Sequence, residues 1–125
     1  MKNNIGEMAW IDLSVQNAEQ IKDFYQDVIG WKAEEISMGD YCDYAMSSPQ
    51  DNEAVSGICH ATGVNADLPA SWLPYFLVAD IHQAVSQVTQ KGGELLTPIK
   101  SMGGDDKYVV IKDPAGAVCA LYDKK

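Results

Sequence analysis

The chain has 125 residues, a formal charge of −9 and an ordinary share of apolar residues, which bounds it to one domain or two small modules around a common core. No apolar run approaches the roughly 20 residues a membrane helix needs, no signal-peptide pattern opens the chain, and no basic footprint for nucleic acid is present, so a cytoplasmic protein without membrane or nucleic-acid partners is expected. Arginine is absent and the first 62 residues hold eleven acids against three lysines, which disfavours planar bidentate recognition of anions and favours neutral or cationic ligands.

In chain order, Met8–Val15 alternates as a strand, with Ala9, Ile11, Leu13 and Val15 on one face and Trp10, Asp12 and Ser14 on the other. A helix is expected over residues 18–29, where Ile21, Phe24, Tyr25, Val28 and Ile29 fall on one stripe. Asn17 precedes it, with Gln20 at capping-box spacing, and Gly30 stands where a left-handed residue closes a helix. Strands follow near 32–37, 41–47 and 54–61, separated by turn signals at Gly39-Asp40 and Ser47-Ser48-Pro49. Residues 62–71 read as a linker. A strand near 72–79 and a helix near 81–91 follow, the helix capped by Asp80 with Gln83 three residues on. Strands near 94–99, 106–112 and 117–122 complete the chain, with turns at Met102-Gly103-Gly104 and Asp113-Pro114-Ala115-Gly116.

The second half repeats the first at a shift of 63 residues. Val15 meets Val78, Gln20 meets Gln83, Gly30 meets Gly93 and Ile36 meets Ile99. Strand, helix and three strands, twice, give an α+β protein of two βαβββ modules, one over about 8–61 and the other over about 72–123.

Three cysteines, Cys42, Cys59 and Cys119, show no CxxC spacing and read as buried free thiols. His60 is directed by alternation away from the ligand-facing side, and His82 sits in the first turn of the second helix; both read as surface or edge residues. Asp12 is weighed as a carboxylate for a cationic ligand or a base with a raised pKa, against a solvated strand-end acid.

Leu13-Ser14-Val15 before a capped helix, Phe24-Tyr25 through Gly30-Trp31 at its end, Trp72 through Tyr75, Val78 through Ile81, Gly92-Gly93 and Asp113-Pro114-Ala115-Gly116 together resemble the vicinal oxygen chelate superfamily. That superfamily includes glyoxalase I, extradiol dioxygenases and the fosfomycin- and bleomycin-resistance proteins. The resemblance implies a curled, cup-like mixed sheet with helices outside and a homodimer. In enzyme members it implies one divalent ion held by His, Glu or Gln. Carried over by spacing, the four ligand positions are Trp10, Gly57, Leu73 and Ala120, none with a donor side chain.

The expectation is therefore no metal and no cofactor. The protein reads as a metal-free small-molecule binder resembling the bleomycin-resistance branch, with an amphipathic ligand and no assigned reaction. The expected cleft is lined by Trp10, Asp12, Tyr44, Gly57, Cys59, Leu73, Tyr75, Tyr108, Ala120 and Tyr122. The alternatives are a divalent-metal lyase or dioxygenase of the glyoxalase type, and a partner-binding module with a vestigial cup.

Overall fold

A computed structural model describes residues 4–125. The chain is α+β and divides into two compact units, Ile11–Trp72 and Met1–Trp10 with Leu73–Lys125.

In the unit spanning 11–72, the strand β1 (Met8–Val15) leads into α1 (Ala18–Ile29), then β2 (Lys32–Ser37), β3 (Cys42–Ser47) and β4 (Ala54–His60). The strands lie in the order β2-β3-β4-β1. β4 runs antiparallel to β3 and parallel to β1, with Asp12 opposite Gly57 and Leu13 opposite Ile58. Parallel neighbours need a long crossover, and α1 with β2 and β3 forms the connection. The core lies between α1 and the sheet, where Ala18, Tyr44, Met46 and Ile58 are buried and Ile21, Tyr25, Trp31 and Trp72 pack against them.

In the other unit, β5 (Leu73–Leu77) leads into α2 (Ile81–Gln90), β6 (Glu94–Leu95), β7 (Lys100–Gly103), β8 (Asp106–Lys112) and β9 (Val118–Asp123). The order is β5-β9-β8-β6, with β7 also paired to β8. β5 is parallel to β9, with Tyr75 opposite Ala120. Ile81, Val109 and Ile111 form the core beneath α2, joined by Val85, Val88, Cys119 and Leu121. The start of β1 belongs here through Glu7, whose carbonyl accepts from Leu77 N at 2.9 Å.

The repeat is kept in register. Asp12 and Gly57 pair in one unit, Tyr75 and Ala120 in the other, and both partners are displaced by 63 residues. Three details depart from the sequence expectation. Asn17 does not cap α1, because its amide turns to Gln20 Oε1 at 3.2 Å. Asp80 does cap α2, accepting from His82 N and Gln83 N.

The expected strand at 94–99 stops at Leu95, and β7 is a separate strand. Pro98 offers no backbone N–H, and Thr97 Oγ1 takes the Val110 N–H at 3.1 Å in place of a ladder carbonyl. The turn expected at 102–104 is accordingly centred on Gly104-Asp105, where Gly104 has φ +57°. The Asp113–Gly116 turn forms as read, with Asp113 Oδ1 accepting from Ala115 N and Ala117 N.

Candidate functional site

In each unit the strands have a face turned to the helix of that unit and a face turned away, and strand register assigns the candidates to one of them. In the first unit, Ile58 is buried against α1, so Gly57 and Cys59 fall on the opposite face. Asp12, paired with Gly57, shares that face. Tyr44, expected among the ligand-facing residues, does not. It pairs with Ile58 and is 7% exposed in the core with Ala18 and Met46. The phase of β3 accounts for this: Cys42, Tyr44 and Met46 point to the helix, which leaves Asp43 on the other side.

Asp43 is the residue of this unit that sequence reasoning missed. Its Oδ1 accepts the His60 backbone N–H at 2.8 Å and lies 3.4 Å from His60 Nδ1. The His60 ring also meets Tyr41 edge-on at 5.1 Å. These bonds fix His60 at the end of β4, in keeping with an edge role. Burial, then the charges of Asp12 and Asp43, push the Cys59 thiol pKa far up, so Cys59 is a protonated packing group at neutral pH.

In the second unit, Val109, Ile111, Cys119 and Leu121 face α2. Alternation and pairing put Tyr108, Val110, Ala120, Tyr122 and Tyr75 on the other face. Five of the expected cleft residues therefore share one structural unit here: Leu73, Tyr75, Tyr108, Ala120 and Tyr122. Leu73 and Tyr75 are almost fully buried, whereas Tyr108 and Tyr122 are half-buried. The Tyr75 and Tyr108 rings lie 5.8 Å apart, tilted by 35°. Tyr122 Oη donates to Asp106 Oδ2 at 2.8 Å. Burial, then that bond to a carboxylate, raises the Tyr122 phenol to about 12. Trp10, half-buried in β1, belongs to this unit as well.

Lys100 is the missed residue of this face. It pairs with Tyr108 across β7 and β8, and its Nζ stands 4.8 Å from the Tyr108 ring centroid. Its position was hidden by the expected 94–99 strand; the break at Pro98 was the signal that re-phases it.

The four positions matched by spacing to ion ligands, Trp10, Gly57, Leu73 and Ala120, lie in regular strands and carry no donor side chain. Cys59 is held protonated, and no group of three His, Cys, Asp or Glu side chains among the described residues is arranged to hold an ion. The residues present do not fit a divalent cation. Among the described residues, no helix is long and apolar enough to cross a membrane.

The comparisons with known proteins agree with this architecture. The anthracycline biosynthesis protein DnrV of Streptomyces peucetius is 28% identical over 95% of this chain, and DauV of Streptomyces sp. (strain C5) is 27% identical over the same share. The chain spans about half the length of these curated relatives, 47% of each. Among solved structures, a methylmalonyl-CoA epimerase in complex with methylmalonyl-CoA and NH4+ superposes with a TM-score of 0.61 at 12% identity, covering 97% of this chain and 96% of that one. A Vibrio splendidus 12B01 protein of the glyoxalase/bleomycin resistance/dioxygenase superfamily gives 0.61 at 14% identity, covering 91% and 96%. These two share the fold. Residues 7–121 match the family described as the Glyoxalase/Bleomycin resistance protein/Dioxygenase superfamily, and the chain belongs to it.

Proposed function

We propose that this protein binds a planar, amphipathic small molecule without a metal ion, on the sheet face of the second unit that is turned away from α2. The observation that carries this reading is the chemistry of that face. Tyr75, Tyr108 and Tyr122 gather there, and the positions that would present ion donors hold Leu73 and Ala120. Ring faces recognise flat π-systems through stacking and burial, each aromatic pair contributing about 0.5–1.5 kcal/mol beyond area alone. Polar tips such as the Tyr122 hydroxyl orient a ligand without covalent chemistry. The role of two relatives in anthracycline biosynthesis supports a fused-ring aromatic ligand.

In this reading the protein is a binding protein rather than an enzyme, and two copies associate as a homodimer. Calorimetric titration with anthraquinone-2-carboxylate and 2-(hydroxymethyl)anthraquinone tests the binding. Saturable one-to-one binding of at least one probe, weakened tenfold or more by Tyr108→Ala, is expected for the loss of a stacking ring worth about 1–3 kcal/mol. No heat above dilution with either probe, or a Tyr108→Ala variant that binds as the parent does, overturns the reading.

A further inference from the structure

We infer that the cleft between β1, α1 and the segment leading into β5 is a binding site for a small quaternary ammonium ion, walled by Phe24, Tyr25 and Trp72. It lies on the helix side of the unit spanning 11–72, so it is a second site that stands independently of the tyrosine face.

Three parts of one unit build the cleft. β1 presents Leu13 and Val15, α1 presents Ile21, Phe24 and Tyr25, and Trp72 closes the space from the chain ahead of β5. Val15, Ile21, Tyr25 and Trp72 also pack against the core of the unit, which fixes the floor. Phe24 forms the outer wall and is 54% exposed. The space between them is about 280 Å³, under the roughly 300–1,000 Å³ of drug-sized sites, so it suits a compact ligand.

The walls are aromatic and stand across one another. Phe24 meets Tyr25 at 5.1 Å between centroids with the planes at 90°, and Tyr25 meets Trp72 at 5.3 Å and 75°. Tyr25 Oη accepts the Trp72 Nε1 proton at 3.1 Å, and Trp31 stands 5.9 Å from both rings, so the corner is set before a ligand arrives. Rings near right angles around a compact space suit a cation that presents methyl groups in several directions. Each ring attracts the charge, and the methyl shell needs no hydrogen-bond partner. Among the described residues, cation–ring contacts fall on Tyr44 and Tyr108, neither of which lines this corner.

Charge selects the same ligand. Residues 11–72 hold eleven acids and two lysines, the whole of the formal −9, against seven of each in the remainder. Lys22 is paired with Asp23 at 2.8 Å, and Lys32 donates to Asn52 at 3.4 Å. The negative field draws small cations to this unit and opposes an anion or a second copy of the same acidic surface. Among the described residues that line the cleft, none is a carboxylate. A primary ammonium would enter without acceptors for its N–H groups, whereas a methylated one loses nothing there.

The test is a titration of the full chain at low ionic strength, followed by NMR chemical shifts. The probes are choline, its neutral carbon isostere 3,3-dimethylbutan-1-ol, and ethanolamine. Choline is expected to saturate and to bind about tenfold more tightly than either comparator, with shifts centred on the Trp72 indole N–H. Phe24→Ala should weaken choline about fivefold or more, and Phe24→Tyr should keep it. Phe24→Leu removes the ring but keeps an apolar side chain, and serves as the second variant should Phe24→Ala melt early. No saturation by choline, equal affinities for choline and the alcohol, shifts centred elsewhere, or binding unchanged when the Phe24 ring is removed overturns the site. Phosphatidylcholine vesicles form the last arm. Protein that sediments with them yet fails to bind free choline would assign the headgroup to a membrane and overturn the free-ion site.

Discussion

Gly93→Ala tests whether α2 closes onto its sheet as described. A Cβ at Gly93 would stand 2.7 Å from the Lys112 carbonyl oxygen, 3.0 Å from Val88 Cγ1 and 3.3 Å from the Val88 carbonyl. The first neighbour is backbone in β8, and its strand partner β6 is only two residues long. Relief requires β6 and β8 to part by several tenths of an ångström or the end of α2 to lift. Overpacking of this kind costs about 1–3 kcal/mol.

Gly30→Ala is the internal control, because Gly30 is the residue at the equivalent repeat position and a methyl added there would meet nothing within 4 Å. Its φ of +90° alone sets the cost there, about 1 kcal/mol. Urea unfolding followed by tryptophan fluorescence, with a parallel thermal melt, measures both. Gly93→Ala should be the more destabilised, its melting temperature falling by about 4–12 °C. A Gly93→Ala protein within about 0.5 kcal/mol of the parent would refute the close approach of α2 to β8.

Asp123, 4% exposed, accepts the Ile81 N–H at 2.9 Å at the start of α2 and meets Lys125 Nζ at 3.0 Å. Asp123→Ala should destabilise by about 1–3 kcal/mol in urea unfolding, and a change under about 0.5 kcal/mol would contradict its role. Burial opposes ionisation of Asp123, but the Ile81 and Lys125 bonds outweigh it and lower its pKa. Its contribution is therefore present above the ordinary value of 3.8 and lost as pH falls through the depressed one, so the acid limb of a stability profile should flatten in Asp123→Asn.

Cys59 has the opposite sign. Its raised pKa leaves the folded thiol protonated while the unfolded one ionises above about 9, so stability falls as pH rises past that point, and Cys59→Ala should lessen the fall. At neutral pH, Cys59 should react slowly with a thiol reagent until the protein unfolds; rapid labelling of the native protein would contradict its raised pKa. Trp72→Phe removes the 3.1 Å bond from Nε1 to Tyr25 Oη and is expected to cost about 1 kcal/mol, read by chemical unfolding.

The repeat made the fold legible. A 63-residue shift relates β1 to β5, α1 to α2 and β4 to β9. Alternation fails where a strand's starting phase is unknown. Tyr44, expected on the ligand-facing side, faces the helix with Cys42 and Met46, and the same phase leaves Asp43 on the other side. Lys100 was hidden by a strand that stops at Leu95, since Pro98 ends the ladder and Thr97 fills the gap with its hydroxyl. Identity matching also paired the wrong glycines by role. Gly30 shares its left-handed φ with Gly92, while Gly93 is required by the carbonyl of Lys112. Asn17 and Asp80 look alike as caps, yet Gln20 offers the Asn17 amide a side-chain partner and only Asp80 receives helix N–H groups.

The central claim is the proposal that a ligand is recognised by aromatic rings rather than through a coordinated ion. Calorimetric titration of anthraquinone-2-carboxylate into protein dialysed against EDTA, repeated after adding zinc or manganese, tests it most directly. The account predicts the same saturable binding in both states, and elemental analysis of the untreated protein that finds no stoichiometric divalent metal. Binding that vanishes with EDTA and returns with the ion would contradict it.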